Sequence, residues 1–247
     1  GLPQVDRQQF PWMATYFDAQ CIFPERLTVE LLVDAEAHAA RHGQRFHVVT
    51  HHDWSLDSDG QFVCTSKPAK RSGCQKSAES LSVHPDVIIN ATGAWVDQTL
   101  SGLCRSASSV DCGHDVAEGL IRGTKGSHII LEDVSLRDAL GEDGIYAEAP
   151  DGRPIFLLPF AEEQVLVGTT DIPVQGDPGL ARTDQSEVDY LIKAVSRIVP
   201  QCQLSGKNIV QHYCGVRPLP GPRVTGRAAG TPGSVTRRHL LLRDEGA

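Results

Sequence analysis

The chain has 247 residues, of which 40% are hydrophobic and 22% charged, as is typical of a soluble globular protein with a sizeable core. Its net charge of −8 argues against nonspecific binding of nucleic acid, which normally requires a basic face. No apolar run approaches the roughly 20 residues that a membrane span needs. The seven cysteines are scattered without a Cys-x-x-Cys pair, which indicates reduced thiols in a cytoplasmic setting.

The first part of the chain predicts one helix followed by short strands. Apolar residues recur with helical spacing between Arg26 and His42, and Gly43 follows as a typical stop. The predicted strands are residues 45–50, 54–56 and 62–64, the last two joined by an Asp59-Gly60 hairpin turn. Residues 67–82 are rich in Ser and Lys, with little that can be buried, and are predicted to form a flexible connection.

Residues 86–95 are the most informative segment. Val87-Ile88-Ile89 is a β-branched run without polar alternation, which predicts a strand covered on both faces. The run breaks into Asn90-Ala91-Thr92-Gly93, where small residues let a ligand approach the backbone closely. Because cofactors bind at strand ends in open α/β sheets, this turn is a candidate cofactor site. An ordinary strand-to-helix turn is the alternative.

The second half of the chain predicts an antiparallel sheet with one helix. The candidate strands are residues 128–131, 154–159, 164–169 and 207–214, with turns at Asp151-Gly152 and Glu162-Glu163. An apolar stripe predicts a helix over 184–199, which Pro200 ends. The whole chain is therefore predicted to have a mixed α/β (α+β) fold of two interleaved parts.

Residues 122–128 form a first polar cluster, in which two glycines bracket Lys125. Backbone N–H groups and a cation can converge on an anion in such a loop. His128 follows at the start of a strand, where a histidine can act as a base near neutral pH. A solvated loop with a half-buried histidine is the alternative.

Two further clusters carry hydroxyl, acidic and basic groups. Residues 168–171 end a strand with two threonines and an aspartate, which is also consistent with simple side-chain bonds at a strand terminus. Arg217 is held by Pro218 and suits bidentate recognition of a phosphate, and Arg237 is a second candidate of the same kind. A solvated surface arginine is the alternative for each.

Taken in order, these motifs resemble the flavin-dependent glycerol-3-phosphate dehydrogenases. The matching runs cover nearly the whole chain and are residues 16–20, 24–27, 89–97, 125–130, 151–156, 167–171, 176–178, 215–219 and 236–237. The resemblance implies a partial FAD-binding, Rossmann-like domain interleaved with an antiparallel-sheet substrate-binding cap. It assigns residues 1–122 to the FAD-binding domain, 123–214 to the cap and 215–247 to a return segment.

The same resemblance implies a set of site residues. They are Asn90, Thr92, Gly93 and Trp95 for the cofactor FAD, His128 and Arg217 for catalysis, and Arg217, Arg237, Lys125 and Thr170 for the substrate. His128 is the implied base that takes the hydroxyl proton. The implied reaction oxidises sn-glycerol 3-phosphate to dihydroxyacetone phosphate by hydride transfer to the flavin. Electrons then pass to a quinone or the respiratory chain.

Neither the family's N-terminal G-x-G-x-x-G segment nor its C-terminal flavin-closing segment is matched, so the sequence is expected to be a central piece of the enzyme. A truncated, non-catalytic fragment that binds a phosphorylated small molecule is therefore one alternative. A flavin oxidase of an amino or hydroxy acid is another, which the paired arginines disfavour. The expected location is cytoplasmic, with peripheral contact at the inner face of the cell membrane as a variant of it.

Overall fold

A computed structural model describes residues 3–57, 59–67, 80–106, 119–225 and 240–242, with the backbone alone for 105, 106, 223 and 225. The chain divides into two compact units. Unit 1 comprises residues 1–15, 90–101 and 113–245, and unit 2 comprises 16–89, 102–112 and 246–247. Helices and antiparallel sheets occur together, so the predicted mixed α/β fold class is confirmed.

Unit 2 contains one long helix and a small antiparallel sheet. Its elements are helix α1 (Pro24–Arg41) and strands β1 (His52–Leu56), β2 (Phe62–Ser66) and β3 (Ser80–Val83), which pair in that order. A proline begins α1, and Gly43, with a φ of +65°, follows its end as predicted. The predicted hairpin is also confirmed, because Gly60 supplies the positive φ of +76° that the turn between β1 and β2 needs.

Two predicted strands of unit 2 are wrong. Residues 45–50 and 87–89 have no strand pairing, and the side chains of Val87 and Ile89 are 76% and 79% exposed. A strand forms only where a neighbouring strand accepts its backbone hydrogen bonds, and a buried one also needs layers on both faces. Among the described residues, these two segments have neither a pairing strand nor layers that cover both faces.

The predicted flexible connection at residues 67–82 is ordered at its described ends. Lys67 forms an ion pair with Asp53 at 2.7 Å, and Ser80–Val83 is strand β3. The interior of the connection, residues 68–79, lies outside the described residues.

Unit 1 is built around an antiparallel sheet. Its described strands are β4 (Ile121–Glu132), β5 (Ile145–Glu148), β6 (Pro154–Phe160), β7 (Gln164–Gly168), β8 (Ile172–Pro173) and β9 (Ile209–Pro220). Strands β5, β6, β7 and β4 are neighbours in that order. One edge of β4 pairs with β9 along nearly its whole length, so β7 and β8 pair in succession with the other edge.

The helical elements of unit 1 are short except for α4. They are a 3-10 turn (Gly93–Trp95) that continues into α2 (Val96–Ser106, of which residues 102–106 belong to unit 2), then α3 (Val134–Leu140), α4 (Gln185–Ile198), α5 (Pro222–Thr225) and two further 3-10 turns (Pro178–Leu180 and Gly206–Asn208). Helix α4 begins with a capping box, in which Asp184 and Glu187 each accept a hydrogen bond at 3.0 Å from the other's backbone N–H. The predicted helix over 184–199 is thereby confirmed.

Side-chain alternation gives the sheet two different faces. On one face, Ile129 and Leu131 of β4 are fully buried against helices α3 and α4. The same core includes alternate residues of β6 and β7 and the apolar stripes of both helices: Ile155, Leu157, Val165, Val167, Leu136, Leu140, Leu191 and Val195. Gly126 and His128 alternate with these core positions and therefore belong to the other face.

The structure tests the prediction that all cysteines are reduced. Cys104 is disulfide-bonded, whereas Cys21, Cys64, Cys202 and Cys214 are free thiols. The prediction of reduced thiols throughout is therefore wrong, because an odd and scattered set of cysteines does not prevent two of them from meeting in the fold.

Within the part of the chain that the structure describes, no helix is both long and apolar enough to cross a membrane.

Replacing Leu191 by Ala is expected to lower the free energy of unfolding by about 2–5 kcal/mol, because this fully buried side chain leaves a cavity between α4 and the sheet. The matched control is Leu180→Ala, at a side chain that is 74% exposed, with an expected change below about 0.5 kcal/mol. Urea denaturation followed by circular dichroism measures both. Equal losses in the two variants would contradict the packing of α4 described above.

Candidate active site

Three glycines of β4, β7 and β9 lie on the sheet face opposite the helices. The strand register sets Gly126 against Gly215 and sets Gly168 against His128. A Cβ atom on Gly126 would overlap the guanidinium of Arg217, and one on Gly168 would overlap the imidazole of His128. The glycines thus leave room for these two functional side chains to lie directly on the sheet.

His128 lies between two aromatic rings. Its imidazole stacks on Tyr213 with 4.9 Å between ring centroids, and the Phe156 ring is 5.7 Å away. Nδ1 of His128 is buried and has no hydrogen-bond partner among the described residues. Burial, and next the positive charge of Arg217, lower the pKa of His128 from 6.5 to about 4. The imidazole is therefore neutral at pH 7 and can accept a proton.

Arg217 is held by the segment that follows β7. Its Nη2 donates to Oγ1 of Thr169 at 2.8 Å, and its Nη1 donates to the carbonyl of Thr170 at 3.3 Å. Asp171 lies 3.5 Å from Nη1 and balances part of the charge. The guanidinium lies over Gly126, which is two positions from His128 on β4, a backbone spacing of about 7 Å along the strand. This arrangement suits an anion that also carries an acidic or hydroxyl proton.

The turn at residues 90–95 packs against β4 and β9, the strands that carry His128 and Arg217. Asn90 Oδ1 accepts from Thr92 Oγ1 at 2.7 Å, and Asn90 Nδ2 donates to the carbonyl of Val96 at 3.0 Å, which fixes the shape of the turn. Asp97 at the start of α2 accepts from the backbone N–H of Gly119 at 3.0 Å. This contact ties the helix to the beginning of β4.

Gly93 gives this turn an open backbone. Its φ is +61°, and apart from its chain neighbours no atom of the described residues lies within 4 Å of the position that a Cβ would occupy. Trp95 beside it is 42% exposed and donates from Nε1 to Asp177 at 3.2 Å. A bare backbone next to an exposed indole ring fits a flat aromatic cofactor. Among the described residues, no group of three or more His, Cys, Asp or Glu side chains is arranged to hold a metal ion.

Lys125 and Thr170 contact groups on the helix side of the sheet. Nζ of Lys125 lies 2.7 Å from Glu187 Oε2 and donates to the carbonyl of Arg182 at 2.7 Å. Oγ1 of Thr170 donates to Glu187 Oε1 at 2.7 Å. The structure therefore brings these two groups to Glu187 rather than to His128, and their role as substrate ligands stays a prediction. Arg237 lies outside the described residues.

The prediction that the cluster at residues 122–128 forms a loop is wrong. This segment is part of β4 and pairs with β9 from Arg122 opposite Leu219 to Ser127 opposite Cys214. Backbone groups that pair between strands cannot converge on an anion. The glycines that suggested a loop instead make room for side chains on the sheet.

Sequence reasoning missed three residues of this region: Phe156, Tyr213 and Glu187. Tyr213 comes from β9, which pairs with β4, and Phe156 comes from β6, which β7 separates from β4. This strand order has no signal in a single sequence. Glu187 did carry a signal, because Asp184-x-x-Glu187 before an apolar stripe is a capping-box pattern. That pattern predicts the helix start but not the other contacts of the carboxylate.

Comparisons with known proteins agree with one another. The family described as FAD dependent oxidoreductase matches residues 3–240. A protein named glycerol-3-phosphate dehydrogenase from Synechocystis sp. is 33% identical over 231 residues, which are 92% of this chain and 38% of that protein. D-erythritol 1-phosphate dehydrogenase from Brucella abortus is 30% identical over 169 residues, 68% of this chain and 30% of that protein. The chain thus spans well under half the length of these relatives.

A solved structure shares the fold. It is the glycerol-3-phosphate dehydrogenase from Bacillus halodurans complexed with FAD, which aligns with a TM-score of 0.53 at 21% sequence identity. The alignment covers 69% of this chain and 31% of that one.

The imidazole of His128 is expected to remain neutral as the pH falls to about 4. Because the folded-state pKa lies below the ordinary 6.5, the unfolded chain binds the proton first, so this group lowers stability as the pH falls from 6.5 toward 4. Histidine ¹H–¹⁵N NMR measures the midpoint. In Arg217→Met the midpoint should rise, since a nearby positive charge no longer opposes protonation. An unchanged midpoint would show that the two side chains are not neighbours.

Gly126→Ala is expected to displace the Arg217 guanidinium while leaving the fold intact, because the far end of a flexible side chain can move away from the new methyl group. The Arg217 Nε–H resonance in a ¹H–¹⁵N spectrum reports the displacement. Gly215→Ala is the matched control on the facing strand, where the part of the chain that the structure describes has no atom within 4 Å of the added carbon apart from the chain neighbours. Equal changes of that resonance in both variants would contradict the packing described.

Proposed function

The chain belongs to the FAD-dependent oxidoreductase family, and we propose that it is part of an enzyme that oxidises sn-glycerol 3-phosphate to dihydroxyacetone phosphate. The names of two relatives, glycerol-3-phosphate dehydrogenase and D-erythritol 1-phosphate dehydrogenase, denote substrates that combine a phosphate monoester with alcohol carbons. Such a substrate needs a cation for its phosphate and a base for its hydroxyl proton. The chain offers both on one face of its sheet.

The observation that carries the proposal is the pairing of His128 and Arg217 above the glycines of β4, β7 and β9. Arg217 would hold the phosphate through charge-assisted hydrogen bonds, each contributing about 1.5–3 kcal/mol. His128 would accept the proton of the C2 hydroxyl. Their short separation along the strand suits a substrate whose hydroxyl and phosphate sit on adjacent carbons.

The charge of Arg217 would make the basicity of His128 depend on whether substrate is bound. In the free site that charge adds to burial in lowering the pKa of the imidazole. A phosphate dianion bound to Arg217 would offset the charge and make the imidazole a stronger base while substrate is present. The rings of Phe156 and Tyr213 would keep water away from the proton-transfer position.

The turn at residues 90–95 would hold the FAD, which would supply the acceptor for the C2 hydride and the route by which electrons reach a quinone or the respiratory chain. Gly93 would allow the closest approach of the backbone, and Trp95 would offer apolar surface. Asn90 and Thr92 would keep the turn in shape through their mutual hydrogen bond. The turn packs against β4 and β9, the strands that carry His128 and Arg217, which supports placing the cofactor beside the substrate.

The proposal keeps the division into a partial FAD-binding domain (1–122), a substrate-binding cap (123–214) and a return segment (215–247). It also keeps Arg237 as a second phosphate ligand, with Lys125 and Thr170 as supporting groups. A quinone acceptor and peripheral contact with the cytoplasmic face of a membrane complete it.

The proposal is tested by incubating the purified chain with excess FAD, desalting it and recording its visible absorbance. Retained flavin bands that sn-glycerol 3-phosphate bleaches without oxygen are the expected result. Bleaching by lactate or an amino acid instead would favour an oxidase of those substrates. If no flavin is retained but glycerol 3-phosphate binds by calorimetry, the chain acts as a phosphate-binding fragment.

Arg217→Met is expected to weaken binding of glycerol 3-phosphate by about 10- to 100-fold, because the charge-assisted bonds to phosphate are lost. Lys193→Met removes the same charge from an exposed position on α4 and should leave the affinity unchanged. Isothermal titration calorimetry at fixed ionic strength measures both. Equal losses in the two variants would indicate a general charge effect rather than a site at Arg217.

A further inference from the structure

Glu187 is a buried carboxylate that the proposed chemistry does not use. It lies in the first turn of α4, and it is only 2% exposed. Oε1 accepts from the hydroxyls of Ser127 at 2.8 Å and Thr170 at 2.7 Å. Oε2 pairs with Nζ of Lys125 at 2.7 Å and accepts from the backbone N–H of Asp184 at 3.0 Å.

The carboxylate of Glu187 is ionised despite its burial. Burial raises its pKa, but the hydrogen bonds from Lys125, the Asp184 backbone, Thr170 and Ser127 outweigh that effect and hold the pKa below its ordinary value. Burial likewise lowers the pKa of Lys125, and the contacts with Glu187 and Asp184 outweigh it, so that pKa is raised. The pair therefore remains charged at neutral pH.

The partners of Glu187 belong to the two backbone segments that hold the candidate site. Ser127 immediately precedes His128 in β4. Thr170 offers its carbonyl to Nη1 of Arg217 at 3.3 Å, and its hydroxyl accepts from the backbone N–H of Ser127 at 2.8 Å. One carboxylate thus joins the strand that carries the base to the segment that holds the cation.

Helix capping accounts for only one of these four contacts. The capping box needs the hydrogen bond between Glu187 and the Asp184 backbone, and the bonds to Ser127, Thr170 and Lys125 are additional. A buried ion pair is weak evidence for stability, because its desolvation offsets most of its attraction. The additional bonds instead fix the orientation of Ser127, Thr170 and Lys125.

We propose that Glu187 is a positioning residue that holds the Thr169–Thr170 backbone against β4 and thereby fixes the Arg217 guanidinium beside His128. The inference rests on the proposed function in that Arg217 is taken to be the phosphate ligand. Lys125 serves in this arrangement as the charge partner of the carboxylate. Glu187 acts through Thr170 and does not touch the substrate.

The test compares Glu187→Gln with Asp189→Asn. The control replaces a carboxylate two residues further along α4, which accepts from Gln185 at the exposed surface. The first readout is hydrogen exchange at the Arg217 guanidinium by ¹⁵N NMR without ligand. Glu187→Gln should speed this exchange by about fivefold while the exchange at Arg153 stays unchanged, because only one arginine loses the support of its acceptor. Asp189→Asn should change neither.

The second readout is calorimetric affinity for glycerol 3-phosphate, which should fall by about tenfold in Glu187→Gln as the cation loses its fixed position. If the wild-type chain does not bind glycerol 3-phosphate, the proposed function fails, and the exchange readout alone still decides the role of Glu187. Unchanged Arg217 exchange in a folded Glu187→Gln chain would overturn the proposal.

Thermal unfolding monitors the fold of each variant. Should Glu187→Gln not fold, Thr170→Val replaces it, because that change removes the hydroxyl that bonds to Glu187 and to the Ser127 backbone while keeping the side chain's shape. Faster Arg217 exchange in folded Thr170→Val supports the proposal, and unchanged exchange overturns it. If neither variant folds, the network serves the fold rather than the site, and the proposal is rejected.

Discussion

Alternation of side chains along β4 is the constraint on which the candidate site depends. Lys125 and Ser127 contact the carboxylate of α4, while Gly126 and His128 lie on the opposite face beside Arg217. A strand admits no other distribution of these residues, since neighbours must point in opposite directions. The apolar core and the polar site are therefore two sides of one strand, and the groups that support the site lie beneath it.

Much of unit 1 could be predicted because its signals are local. The capping residues of α4, its apolar stripe and Pro200 lie within one short segment, and the glycines and acidic residues mark the turns between strands. Residues 45–50 and 87–89 show the opposite case. Their β-branched composition suits a buried strand, but a strand depends on neighbours that composition does not reveal. Without those neighbours the same side chains are exposed.

In the candidate site too, residues with local signals could be predicted, whereas contacts between strands could not. His128 and Arg217 could be identified from their flanking glycines and proline, and the structure does bring them together. The sequence did not show that the side chain of Lys125 points toward Glu187, because the face on which a strand residue lies depends on where the helices pack. Tyr213 reaches His128 only through the register between β4 and β9, which a single sequence does not contain.

The ladder between β4 and β9 also has one irregularity. It runs in a single register from Ile121 opposite Pro220 to Ile130 opposite Gln211, and shifts only between Ile130 and Leu131. A residue inserted on the site side of Ile130 would exchange the two faces and turn His128 toward the helices. Beyond Ile130 a bulge already absorbs one extra residue of β9. Within the ladder between β4 and β9, the chain can therefore change length past Ile130 without moving His128 to the other face.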